Sequence, residues 1–215
     1  PRSTRRATLF PYTTLFDLML TPTLGWCAIA VDTLEERLDW HGWVSDTPNQ
    51  WSMDEIYDAN DLALESSLAV LDALIFGISF WSVTVGDSEA DEPNPLVMAE
   101  SPKTTTCRWN RRQRRADAAL TVGARNPHTK IPTSVSLHLP GQTVVLQASP
   151  SSEPGQWLVL DRIKYRHKRV PVVPIVNRPW GSKRQGRSEI TPPMRALLQN
   201  AMRTLAGWEL AREFF

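Results

Sequence analysis

Residues 170–215 read VPVVPIVNRPWGSKRQGRSEITPPMRALLQNAMRTLAGWELAREFF, and this stretch decides how the rest of the chain is read. The apolar run Val172 to Val176 is punctuated by Pro171 and Pro174. Each proline removes a ladder donor, so the run is expected to be a short edge strand. Asn177-Arg178-Pro179 breaks it, and a basic loop follows with Gly181, Lys183, Arg184, Gly186 and Arg187. Thr191-Pro192 is a helix-start signal, because Thr can cap orphan N–H groups and Pro suits the first helical position. Met194, Leu197, Leu198, Ala201, Leu205 and Trp208 then recur at the spacing of one helical face. Arg195, Gln199, Arg203 and Arg212 fall mainly outside that stripe. No Gly or Pro follows Ala211, so the helical pattern is cut off in mid-course and the natural protein is expected to continue.

The totals allow one or two domains in 215 residues, with 41% hydrophobic and 22% charged residues, ordinary for a globular chain. Net charge is +1, so any basic patch must be local. Cys27 and Cys107 lie far apart with no CxxC pair, which argues for reduced thiols and against a structural zinc site. No run reaches the roughly 20 apolar residues that a membrane span needs. Thr8 to Phe16, TLFPYTTLF, resembles the translation of a common sequencing adapter. Residues 1–16 are therefore read as non-native and residues 17–215 as the native part, although the composition of the former would also suit a short β-segment.

Upstream of the deciding stretch, Ala28, Val31, Leu34, Leu38 and Trp40 outline a helix ending near His41-Gly42. Asp32, Glu35 and Glu36 on it read as a solvated face, since no histidine or second carboxylate set accompanies them. Ser45 to Gln50 is a polar loop. Ser52 with Glu55 fits a capping box, opening one helix from Met53 to about Phe76 that stops at Gly77. Its buried side is expected to carry Ile56, Asn60, Ala63, Leu64, Ser67, Leu71, Leu74 and Ile75. Ile78 to Val85 has strand composition. An acidic loop, Gly86 to Pro95, leads to a short strand at Leu96 to Ala99.

Two hairpins follow. Thr104 to Trp109 and Ala116 to Val122 flank the tip Asn110 to Arg115, and Ser134 to Leu139 and Gln142 to Gln147 flank Pro140-Gly141. The tip, NRRQRR, could hold nucleic-acid phosphates, but no aromatic platform is interleaved with it, so it reads as a solvated turn. Ser149 to Gly155 is a polar loop, Trp157 to Leu160 a further strand and Lys164 to Arg169 a second basic run. Helices, then strands and hairpins, then a helix make an α+β chain with helices packed on an antiparallel or mixed sheet. No P-loop and no GxSxG elbow occurs. The four histidines, His41, His128, His138 and His167, are scattered over loops and strand edges. Nothing in the pattern asks for catalysis or a cofactor.

Several blocks, in order and spacing, resemble the portal proteins of tailed bacteriophages, of the siphophage type found in actinobacterial phages. They are Asn177-Arg178-Pro179, Gly186 to Thr191, Arg195, Leu197, Ala201, Arg203-Thr204-Leu205 and Ala211 to Phe215. Val31 to Trp43 and the helix around Asn60 resemble the start of the same region. A glycine commonly precedes the VPVVP run in that family, whereas this chain has Lys168-Arg169. The resemblance implies the wing and body of a portal subunit, with stem, clip and crown following Phe215. It implies a ring of identical subunits, a dodecamer, at the capsid vertex of the virion, assembled in the host cytoplasm. That ring passes double-stranded DNA without sequence preference, docks the large terminase subunit, and holds head-tail connector and capsid proteins. Within the chain, Arg187, Ser188, Glu189, Arg195, Arg203 and Arg212 are expected to fix subunit packing, from their polarity beside an apolar helix. Two other readings stay open: a nuclease-like DNA-processing enzyme using Asn110 to Arg115 for phosphate, and a generic interaction domain.

Overall fold

The computed structural model describes residues 25–38, 52–149, 156–181 and 183–214. The expectations for residues 1–16, for the Ser45 to Gln50 loop and for residues 150–155 lie outside these, whereas the helix expected to reach His41-Gly42 already ends at Glu35, with residues 36–38 no longer helical. In chain order the elements are α1 (Trp26–Glu35), α2 (Met53–Ala59), α3 (Leu62–Phe76), β1 (Ile78–Thr84) and β2 (Leu96–Glu100). Next come β3 (Thr105–Asn110), β4 (Arg115–Arg125), β5 (Pro132–Leu139), β6 (Gln142–Ala148), β7 (Trp157–Lys164), β8 (Val172–Val176) and α4 (Pro192–Phe214). The class is α+β, with two antiparallel sheets and a long C-terminal helix. The described residues fall into two compact units, one of residues 25–37 with 189–214 and one within 38–188.

In the larger unit, a three-stranded sheet has the order β2-β1-β8 and a five-stranded meander runs β3-β4-β5-β6-β7. Both expected hairpins form: Asn110 faces Arg115 and Leu139 faces Gln142 across their turns. β8 is an edge strand, as Pro171 and Pro174 require. The sheets share a core in which Phe80 and Val172 meet Ala119 and Val170, flanked by Ile78 and Cys107. Helix α3 packs on β1 and β2, burying Leu62, Ala69, Ala73 and Leu74. The small side chain of Ala69 leaves its carbonyl within reach of Ser79 Oγ, which donates to it from β1.

The single helix expected from Met53 to Phe76 is in fact two, broken at Asn60-Asp61, where Asp61 takes φ 46°. The cause is the Asn60 amide. Its Nδ2 donates to Ile56 O at 2.9 Å and to Pro95 O at 3.0 Å, while Oδ1 accepts from Val97 N at 2.8 Å. Restarting at Leu62 shifts the helical phase, which leaves Ala63 exposed and Leu64 54% exposed, contrary to the continuous stripe. The capping box also fails: Ser52 sits at φ 46° with no side-chain cap, whereas a capping Ser needs extended backbone.

The two outer margins of the sheets on the β2 and β7 sides are treated differently. On β2, Asn60 and the Glu65 carboxylate take the outward N–H groups of Val97 and Ala99. Edges closed in this way do not recruit other strands. On β7 all eight residues are exposed, including Trp157, Leu158, Val159, Leu160 and Ile163.

Candidate functional site

The residues expected to matter lie where the chain returns from the sheets to α4. Gly77 ends α3 in the left-handed region, φ 93°, with its N–H on Ala73 O at 2.8 Å. After β8, Asn177 N donates to Gly77 O at 2.9 Å. Arg187 N in turn donates to Asn177 O at 2.9 Å, and Asn177 Nδ2 donates to Arg187 O at 2.9 Å. Gly186, φ 72°, threads between them: a Cβ there would sit 2.3 Å from Gly77 O and 2.4 Å from Asn177 O. Ser188 Oγ closes the arrangement by donating to Ile75 O at the end of α3. The Asn177 and Gly186-Arg187-Ser188 blocks are thus a backbone clasp joining a helix end to a strand end.

Arg187 puts its backbone into the clasp and leaves its guanidinium exposed, 5.5 Å from the Trp180 ring centroid. Ser188 is half-buried by its bond to the helix end. In the other unit Glu189 is half-buried and its carbonyl accepts from Thr191 N at 2.9 Å. Arg195 N donates to Thr191 O at 3.0 Å as α4 begins. The side chains of Arg195, Arg203 and Arg212 are all exposed, with Arg212 Nη1 4.0 Å from Glu209. At about 100° per residue, Arg195 and Arg203 stand roughly 80° apart and Arg212 is on the far side from Arg203. A partner touching all three would wrap the helix. The buried line of α4 is Leu198 and Met202, with Met194 half-buried. Leu197 and Trp208, expected on that face, are 68% and 71% exposed.

Among the described residues no group of three or more His, Cys, Asp or Glu is placed to hold a metal ion. Cys27 and Cys107 are free and half-buried, and burial, with Asp117 beside it, pushes the Cys107 thiol up. Asp117 is held below the usual carboxylate range chiefly by its hydrogen bond from Arg108, 2.8 Å away.

A polar relay inside the meander escaped the sequence reading. His138, buried on β5, faces Thr143 on β6, with Nδ1 and Thr143 Oγ1 2.9 Å apart. Tyr165 OH donates to the same oxygen at 2.8 Å, so Thr143 Oγ1 links the tyrosine to the imidazole. The signal was available in the register, since His138 and Thr143 flank the Pro140-Gly141 turn symmetrically. Burial lowers the pKa of His138 below its ordinary 6.5. The unfolded chain therefore binds a proton first, and stability is full above pH 6.5 and falls as pH drops through the lowered folded pKa. The melting temperature should drop between pH 7.5 and pH 5, and His138→Gln should flatten that drop; an unchanged slope in the variant would exclude the relay as its source.

No protein-family model matches the chain. The portal protein of Mycobacterium phage L5 is 27% identical over 193 residues, covering 85% of this chain and 38% of that protein. The portal protein of Mycobacterium phage D29 is 28% identical over 193 residues, with the same coverage. The α+β chain is thus a distant homologue of mycobacteriophage portal proteins, and it spans about 38% of the length of these relatives.

Proposed function

We propose that the chain is the wing-and-body part of a portal subunit, a structural element with no bond made or broken by its side chains. The observation that carries this reading is the alignment to two portal proteins over 85% of the chain. In this reading, residues 17–215 are native portal sequence, residues 1–16 are adapter-derived, and stem, clip and crown belong to the part of the relatives that the chain does not span. Identical subunits, twelve by resemblance, meet through unlike faces and close a ring at the capsid vertex of the virion. The ring passes double-stranded DNA, docks the terminase and then holds connector proteins. DNA is gripped weakly and without sequence preference, because a conduit must let its cargo slide. Arg187, Ser188, Glu189, Arg195, Arg203 and Arg212 contribute to subunit packing. Among the described residues no helix is long and apolar enough to cross a membrane.

The test is electron microscopy of the gene product extended to the relatives' length. Rings with a central hole are expected, and a protein that never forms them would end this reading. Arg195→Glu/Arg203→Glu/Arg212→Glu should raise the concentration needed for assembly by about tenfold or more, read by sedimentation. Rings that assemble as before would remove the three arginines from the packing surface while leaving the portal reading intact.

A further inference from the structure

The two basic runs, Asn110 to Arg115 and Lys164 to Arg169, are about fifty positions apart in sequence, yet the fold brings them to one cleft. Arg114 and Arg115 from the β3–β4 turn and Arg169 ahead of β8 line it, together with Trp109, Val170 and Val172. Its volume is about 260 Å³. We propose that this cleft binds a phosphate group. The site lies within the larger unit and does not depend on ring closure.

Four observations carry the assignment. First, the lining includes three arginines and no acidic residue. Among the described residues no carboxylate lies within ion-pair distance of any of the three. Arg115 Nε donates only to the neutral Gln113 Oε1, at 3.2 Å. The one acid nearby in sequence, Asp117, is taken up by Arg108 and by Asn110 Nδ2 at 3.3 Å. Second, Trp109, half-buried, lines the cleft beside the arginines and gives it an aromatic wall. Third, the turn is preorganised: Asn110 Oδ1 accepts from Arg112 N at 3.0 Å and Gln113 N at 3.1 Å, and Arg114 sits at φ 52°. Fourth, the volume is under the roughly 300–1,000 Å³ of pockets for drug-sized molecules, so a small group suits it.

A tetrahedral oxyanion with three or four acceptor oxygens can serve several guanidinium forks together. A lone carboxylate, with two oxygens, serves fewer. The phosphate could be free or part of a nucleic-acid backbone, and the chemistry at the cleft is the same. Trp109 also supplies the aromatic surface that the NRRQRR run itself lacks.

The test uses the 215-residue chain. Its Trp109 indole N–H resonance is identified by its loss in Trp109→Phe and then followed by NMR. Inorganic phosphate, adenosine monophosphate and a 20-base-pair duplex are titrated separately, each against chloride at matched ionic strength. At least one probe should move the resonance, and Arg114→Gln/Arg115→Gln/Arg169→Gln should weaken that binding about tenfold or more. Arg111→Gln/Arg112→Gln, on the same turn but outside the lining, should change it less than about twofold. Phosphate or the nucleotide saturating while the duplex does not identifies a free ligand. Tighter, salt-sensitive binding of the duplex identifies the backbone phosphodiester. No movement with any probe, or equal loss in both variants, overturns the proposal. So does a triple variant that changes only self-association, which would assign the cleft to an acidic surface of a second copy.

Discussion

Gly186→Ala should be strongly damaging, lowering stability by about 4 kcal/mol or more and leaving little folded protein. The new Cβ would meet the carbonyl oxygens of Gly77 and Asn177 at 2.3 and 2.4 Å. Neither oxygen can retreat easily. Gly77 O already accepts from Asn177 N, and Asn177 O from Arg187 N. The left-handed φ of 72° adds the strain of any side chain in that region. Gly77→Ala, whose Cβ would lie 2.8 Å from the Arg187 carbonyl carbon, should act in the same direction. Gly181→Ala is the control, with nothing within 4 Å, and should stay within about 0.5 kcal/mol. Urea unfolding followed by tryptophan fluorescence measures all three. A Gly186 variant as stable as the control would mean that the clasp is not formed.

Asn60→Leu is expected to cost about 3 kcal/mol, the penalty of leaving buried backbone groups without partners. The substitution keeps the branched heavy-atom skeleton and removes every bond of the amide, stranding Pro95 O and Val97 N. It also reopens part of the outer margin of β2. Asn60→Asp separates the donor from the acceptor. The carboxylate still accepts from Val97 N but turns a negative oxygen toward Ile56 O and Pro95 O. Burial raises the pKa of such a group, so its folded form holds a proton that the unfolded chain has released. Stability of the Asp variant should therefore fall as pH rises, and it should be closer to wild type at pH 5 than at pH 8. Equal unfolding midpoints for wild type and Asn60→Leu would show that the amide does not hold the break between α2 and α3.

These two residues also mark where the sequence was legible. Strand β8 and the start of α4 follow from proline chemistry, which is local, and the structure has Val172–Val176 and Pro192–Phe214 where those signals place them. The hairpin tips follow from turn residues in the same way. The helix break at Asn60 does not, because its cause is Pro95 and Val97, more than thirty positions away. Glycine 186 reads as a loop residue until the oxygens on either side of it are known. The candidate packing arginines were readable only as polar positions beside an apolar stripe, and helical phase then sets them on different sides of α4. The cleft arginines illustrate the same limit, since neither basic run alone contains the site.

The clasp has a consequence for the order of events in folding. Ser188 and Ile75, which it joins, are 113 positions apart. Closing so long an excursion carries a large entropic penalty unless the intervening strands have already shortened the path. The two sheets must then zip up first, and the return past Gly186 seals the unit last, so that a nascent chain stopped before Gly186 would hold its strands without the latch that commits them.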